Sequence, residues 1–194
     1  PAYSLGCYGI NSSFKHFYEQ IKGFYRIFTA SIQNCSPTTQ TFSLMITVSP
    51  VATRKELKEF TKFKIKLYAG NPYAVPPLYA DEREALLEGH NPALKVYDHQ
   101  VFLAKRDGKT VGRIVAIINH ISNRKTGKAC VRFGFIDFVE DFEVAKALIE
   151  TVEQWGRERG MEAIHGPLGF TDFDPEGMLI YGFDEVSTIA CLYN

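Results

Sequence analysis

Residues 129–170 read ACVRFGFIDFVEDFEVAKALIETVEQWGRERGMEAIHGPLGF. Ala129 to Phe138 is an apolar run of strand type. Asp141 is suited to cap a helix. Val144, Leu148, Val152 and Trp155 then recur at helical spacing, and Glu153 stands four residues before Arg157 in the favourable order. Gly160 ends the helix. Met161 to His165 is a second strand, followed by Gly166-Pro167-Leu168-Gly169-Phe170. Strand, helix of about 18 residues and strand make a βαβ unit, whose two strands run parallel.

Working back from this unit, Val101 to Ala104 leads through Asp107-Gly108 into Val111 to Ile118. The Asp-Gly pair supplies the positive φ angles of a type I′ hairpin. The second strand is apolar at nearly every position apart from Gly112 and Arg113, which predicts burial on both faces. His120 to Lys128 reads as a polar loop. Further upstream, Ile46-Thr47-Val48 is a short β-branched strand. Thr53-Arg54-Lys55-Glu56 is a capping box opening a helix with Leu57, Phe60, Phe63 and Leu67 on one face. Gly70 closes that helix. Asn71 to Pro77 is an extended connector, since its prolines lack donors and restrict their neighbours. Asp81 to Leu87 is a second, short helix with acids in its first turn. The order is β-α-α-β-β-β-α-β, an α/β fold with a mixed sheet covered on both faces.

The chain has 194 residues, with 22 basic and 22 acidic side chains and an apolar fraction of 45%. Zero net charge gives no expectation of nucleic acid or an anionic membrane as partner. No run of about 18 apolar residues predicts a membrane span. Charge is uneven: all basic residues except Lys15, Lys22 and Arg26, and all acidic ones except Glu19, follow Met45. Residues 1–44 are rich in aromatics, with a marginal helical pattern from Phe14 to Phe28. They are expected to lie outside the native fold, with translation starting at Met45. Cys7, Cys35, Cys130 and Cys191 form no C-x-x-C pair and read as free thiols of a cytoplasmic protein. No two of the five histidines share a helix at i,i+4, so no metal site is expected.

Several local sequences carry a resemblance: Asn71-Pro72-Tyr73 with Val75-Pro76-Pro77, Asn91-Pro92-Ala93, Val111-Gly112-Arg113-Ile114 with Asn119, Arg132-Phe133-Gly134-Phe135 with Asp137-Phe138, and Gly166 to Asp172. Together with the element order, they resemble a poorly characterised bacterial branch of the GCN5-related N-acetyltransferase (GNAT) superfamily, over roughly residues 46–194. The resemblance implies an N-acyltransferase using acetyl-CoA or another acyl-CoA, with a small-molecule amine as acceptor. It implies that the pantetheine arm pairs with strand backbone at Phe135, Ile136, Asp137 and Phe138. The pyrophosphate would rest on the next helix N-terminus, where free amides and the dipole favour an anion. The superfamily's fold continues with another helix and two strands, so the chain, ending at Asn194, is expected to be an N-terminal fragment of that fold.

The sequence departs from the superfamily at that helix N-terminus. Val139-Glu140-Asp141-Phe142-Glu143 has no glycine and three acids, which suit a helix N-cap better than a phosphate. The alternative function is therefore a catalytically inactive GNAT-fold module that binds a ligand or a protein.

Asp172 and Glu176 are candidates to hold or deprotonate an amine. They read equally as a polar turn capping a helix that begins near Asp174-Pro175. The same loop starts like an EF-hand, but Phe183 stands at its twelfth position instead of glutamate. Arg113 and Asn119 are candidate substrate contacts. Arg113 reads alternatively as the partner of an acid such as Asp137 across the sheet, and Asn119 as a turn residue. Lys105-Arg106 reads as a solvated turn.

Overall fold

The computed structural model describes residues 2–3, 5–9, 45–75, 79–171, 173–179, 182 and 184–186. The elements run β1 (Ala2–Tyr3), β2 (Leu5–Gly9), β3 (Thr47–Pro50), α1 (Arg54–Leu67), α2 (Tyr79–Ala85), a 3-10 turn (Pro92–Lys95), β4 (Tyr97–Arg106), β5 (Lys109–Asn119), α3 (His120–Thr126), β6 (Cys130–Phe138), α4 (Phe142–Arg157), β7 (Ala163–Gly166) and β8 (Met178–Leu179). Among the described residues, six strands form one sheet in the order β2-β7-β6-β5-β4-β3, and β1 pairs with β8. From β3 to β7 this is the mixed α/β sheet that the sequence pointed to, with one further helix, α3, between β5 and β6. All sheet neighbours are antiparallel except β6 and β7, which run parallel as the βαβ unit requires.

Local signals in the sequence place the helices. Thr53 accepts from the Glu56 amide at 3.2 Å, and Glu56 accepts from the Thr53 amide at 3.0 Å, completing the capping box of α1. Asp107 (φ 51°) and Gly108 (φ 74°) turn the β4–β5 hairpin as an Asp-Gly pair should. The 120–128 stretch is not a loop: His120–Thr126 is helical. Asn119 caps it by accepting from the Ser122 amide at 2.9 Å, and Gly127 (φ 66°) ends it. Both cap signals stand in the sequence. The helix has no buried face, so hydrophobic periodicity could not reveal it.

Two cores sandwich the sheet. On one face, Val144, Leu148, Val152 and Trp155 of α4 pack on Phe102, Ile114, Ile118, Phe133 and Ile136. On the other, Leu57 and Phe60 of α1 and Leu86, just past α2, pack on Leu103, Val115, Ile117, Phe135 and Phe170. Ile114 to Ile118 are fully buried, which confirms that β5 is covered on both sides.

Leu5–Gly9 lies within the segment that the sequence set apart, and here it forms an edge strand on β7. Residues 10–44 lie outside the described residues, as do Pro76, Pro77 and Leu78 of the connector.

Candidate functional site

The two parallel strands separate near their carboxyl ends. Pairing of β6 with β7 runs from Cys130↔Ala163 to Arg132↔His165. One further bond, from the Leu168 amide to the Phe133 carbonyl at 2.8 Å, closes the paired region. At this point β6 bulges: Arg113↔Asp137 gives way to Val115↔Gly134, and Phe135 adopts φ 51°. A bulge bends its strand and re-aims side chains. The chain beyond β7 passes so close to Gly134 that a Cβ there would lie 2.7 Å from the Leu168 carbonyl oxygen. Beyond the bulge, among the described residues, Phe135–Phe138 has no parallel strand pairing on its β7 side. Such a strand edge offers backbone donors and acceptors to an extended amide-bearing ligand.

The four predicted cofactor-binding residues face different ways. Phe135 contacts Phe170, with ring centroids 6.1 Å apart, and Phe170 stacks on Tyr97 and meets the edge of His99. Ile136 packs in the α4 core, and Phe138 lies at its margin. Asp137 is buried on the α1–α2 face.

Arg113 meets that carboxylate. Its Nε donates to Asp137 Oδ2 at 2.8 Å, and its Nη1 donates to the Phe60 carbonyl at 3.1 Å and to Glu82 Oε1. The guanidinium also lies 4.8 Å from the Phe60 ring centroid. The pairing reading of Arg113 thus gains its partner, and β5, β6, α1 and α2 are tied together at one point. Glu82 escaped the sequence reading because an acid in the first turn of a short helix looks like a dipole complement. Among the described residues, Glu82 Oε2 is buried without a hydrogen-bond partner. An unsatisfied buried acceptor costs about 1–3 kcal/mol, and more when charged. Tyr68, at the end of α1, is exposed as a residue, with its phenol group partly covered. Burial of that group, followed by the charge and acceptor oxygen of Asp137, raises its pKa.

Asn119 is buried and spends its side-chain oxygen on capping α3. Glu176 is half-buried on the approach to β8. Asp172 lies outside the described residues. Asp174 Oδ2 accepts from the Thr171 amide at 2.9 Å, and the Asp174 amide donates to the Thr171 carbonyl at 3.1 Å. The helix expected near Asp174-Pro175 is therefore replaced by a closed turn. Among the described residues, no group of three or more His, Cys, Asp or Glu side chains could hold a metal. No described helix is long and apolar enough to cross a membrane. His99 and His165 are both held below the usual histidine range, first by burial.

The N-terminus of α4 does not fit a pyrophosphate in the way the resemblance implied. Asp141 caps it, accepting from the Glu143 amide at 2.9 Å. Arg106 donates to the same carboxylate at 2.6 Å. Burial by itself would raise the Asp141 pKa. The Arg106 hydrogen bond and the Glu143 and Val144 amides outweigh it, so the carboxyl sits below its ordinary value. Lys105 likewise pairs with Glu59 at 3.1 Å, so the Lys105-Arg106 pair is anchored, not merely solvated. The strand edge fits an extended arm; the acidic turn does not fit a second anion.

No family model matches the chain. It is 36% identical over 131 residues to Protein YghO of Escherichia coli (strain K12), covering 68% of this chain and 33% of that protein. It is 35% identical over 140 residues to a protein of Caulobacter vibrioides (strain NA1000 / CB15N) named Bacterial ceramide synthase, covering 72% of this chain and 36% of that one. The chain thus spans about a third of the length of the curated relatives it matches. Among solved structures, a tandem GNAT protein from the clavulanic acid biosynthesis pathway aligns at TM-score 0.48 and 15% identity, over 62% of this chain and 35% of that chain. An aminoglycoside acetyltransferase from an uncultured soil metagenomic sample aligns at TM-score 0.43 and 17% identity, over 61% and 74%.

Proposed function

We propose that residues 45–194 carry a GNAT-like domain of an acyl-CoA-dependent N-acyltransferase, and that its acceptor is a primary amine. The observation that carries this reading is the separation of β6 from β7 beyond the Arg132↔His165 pair. It leaves the bulged edge at Phe135–Phe138 for the amide groups of a pantetheine arm. An acyl-CoA would supply an activated acyl carbon in its thioester: the amine nitrogen would form the amide bond as the C–S bond breaks, and CoA would leave as a thiolate that takes up the proton given up by the amine. The chain's part is to align that arm along β6, to exclude water with Phe135, Phe170 and Tyr97, and to take a proton from the amine. Glu176, with Asp172 four residues before it in sequence, is our candidate for the proton acceptor.

The relative named Bacterial ceramide synthase supports the choice of acceptor. A ceramide is an N-acylated long-chain amino alcohol, so we take a long-chain primary amine as the acceptor class.

One observation favours a second reading, a non-catalytic GNAT-fold module binding a small ligand or a protein. Asp141 fills the anion position at the N-terminus of α4 and holds Arg106 there. Calorimetry with acetyl-CoA and with a long-chain acyl-CoA, on the product of the complete gene, separates the two. Saturable heat and a thermal shift support the enzyme reading. No heat and no shift at millimolar acyl-CoA retire it.

A further inference from the structure

The net charge of zero hides a local excess. Residues 119–136 hold Arg124, Lys125, Lys128 and Arg132 and no acid. They run from the end of β5 through α3 into β6. Arg132 donates to the Ser122 hydroxyl at 3.1 Å, and Asn123 donates to the Cys130 carbonyl at 2.9 Å, so Ser122 and Asn123 form the face of α3 turned to the protein. At about 3.6 residues per turn, the opposite face carries Ile121 between Arg124 and Lys125. All three are exposed, Ile121 by 54%, and so is Lys128 just past the helix. Among the described residues, no acid pairs with Arg124, Lys125 or Lys128. Two acids border the patch: Asp98, held by His120 at 3.0 Å, and Glu162, whose amide donates to the Ala129 carbonyl.

A second apolar side chain stands at the same end of the sheet. Val96, 51% exposed, comes just before the Tyr97↔Asn119 pair, and Ile121 comes just after it. Exposed Lys95 adjoins Val96. Aliphatic side chains set among cations fit one kind of surface closely. Long basic side chains reach lipid phosphates with their heads while an aliphatic neighbour enters the headgroup layer. A nucleic acid would engage the cations through its phosphates and leave Ile121 and Val96 without a partner.

We propose that the outer face of α3, together with Val96, docks on an anionic phospholipid surface. The proposal goes beyond the N-acyltransferase reading and stands on charge and exposure alone. It also suits a long-chain acceptor. Tyr97, next to Val96, stacks on Phe170, which contacts Phe135 at the bulge, so the docked face adjoins the aromatic side chains beside the cleft.

The test is sedimentation of the complete gene product with vesicles of phosphatidylcholine alone and of an equal mixture with phosphatidylglycerol. Each basic side chain near an anionic surface strengthens binding about fivefold. Wild type should therefore bind the mixed vesicles about tenfold or more tightly than the neutral ones. Most of that preference should vanish at about 1 M salt, where charges are screened within about 3 Å. The double variant Arg124→Glu, Lys125→Glu should lose about tenfold or more on mixed vesicles. Ile121→Gln should lose about threefold or more on the same vesicles and leave binding to a short DNA duplex unchanged. Equal binding of wild type to both vesicles overturns the proposal without any variant. Absence of vesicle binding also overturns it, since the rest of the complete chain would then cover this face. A DNA duplex bound as tightly as the mixed vesicles, with no effect of Ile121→Gln on either, would make this a nucleic-acid surface instead. Acyl-CoA calorimetry on the same variants reads the cleft separately, so failure of the docking face and failure of the enzyme reading are told apart.

Discussion

Arg106, the last residue of β4, reaches Asp141 at the start of α4 and donates to its carboxylate at 2.6 Å. The pair joins the hairpin to the helix that follows β6, at the place where a GNAT-like fold is expected to meet a phosphate. Asp141→Asn keeps a good N-cap and frees Arg106. If the turn opposes a phosphate, acyl-CoA should bind about fivefold more tightly, the equivalent of removing about 1 kcal/mol of like-charge contact. Titration calorimetry of wild type and variant reads this directly. Unchanged or weaker binding would show that the phosphates sit elsewhere.

The same carboxylate gives a pH signature. Its folded pKa is depressed, so its stabilising contribution is present above the unfolded value, near 3.9, and is lost as pH falls through the lower folded value. Asp141→Ala should cost about 1 kcal/mol at neutral pH. The difference between wild type and Asp141→Ala should shrink as urea unfolding is repeated from pH 6 down to below 4. A constant difference would mean that the charge contributes nothing.

His99 and His165 act at higher pH. Burial lowers both, while Glu88 and Asp98 push His99 back up and Arg132 and Lys128 push His165 further down. The unfolded chain therefore takes up these protons first. Stability should be full above about pH 6.5 and fall as pH drops below it, until the folded pKa is reached. The double variant His99→Gln, His165→Gln should flatten the slope between pH 6.5 and 5. A slope equal to that of wild type would assign the effect to other groups.

Gly134 and Gly166 are close-approach positions. A Cβ at Gly166 would lie 2.4 Å from the Phe133 carbonyl oxygen, and one at Gly134 would lie 2.7 Å from that of Leu168. Both obstacles are backbone, which cannot rotate away. Gly134→Ala should destabilise by about 1–3 kcal/mol, as overpacking does. It should also weaken acyl-CoA, because it disturbs the join from which the cleft opens. A denaturation midpoint equal to wild type would show that the join yields cheaply.

Leu148 is fully buried on α4 against the sheet. Leu148→Ala should cost about 2–5 kcal/mol, read as a lower denaturant midpoint with an unchanged slope. Thr53→Ala, which removes half of an exposed capping box, should cost only about 1 kcal/mol.

Local chemistry made much of the fold legible. The α4 stripe, the capping box at Thr53, the cap at Asp141 and the Asp107-Gly108 turn depend on neighbours within a few residues. The α3 helix shows where such reading thins, since its caps were present but no apolar face announced it. The loop after Phe170 shows the opposite failure. Asp174-Pro175 looks like a helix start, yet Asp174 turns back on Thr171. In the candidate site, the sequence marked Phe135–Phe138, the odd acids at 140–143 and the pairing of Arg113 with Asp137, but it did not show that Asp141 meets Arg106 or that Glu82 meets Arg113.

The amino-acid sequence alone determined the element order from β3 to β7 apart from α3, the parallel βαβ unit and the double-faced burial of β5, because periodicity and caps are short-range properties. Only the tertiary structure decided the divergence of β6 from β7, the bond between Arg106 and Asp141, and the burial of Glu82 beside Arg113. Those pairs stand 35 and 31 residues apart in the chain. Charges so far apart are selected by how helices settle on a twisted sheet, a choice that depends on the whole packed core and leaves no local mark.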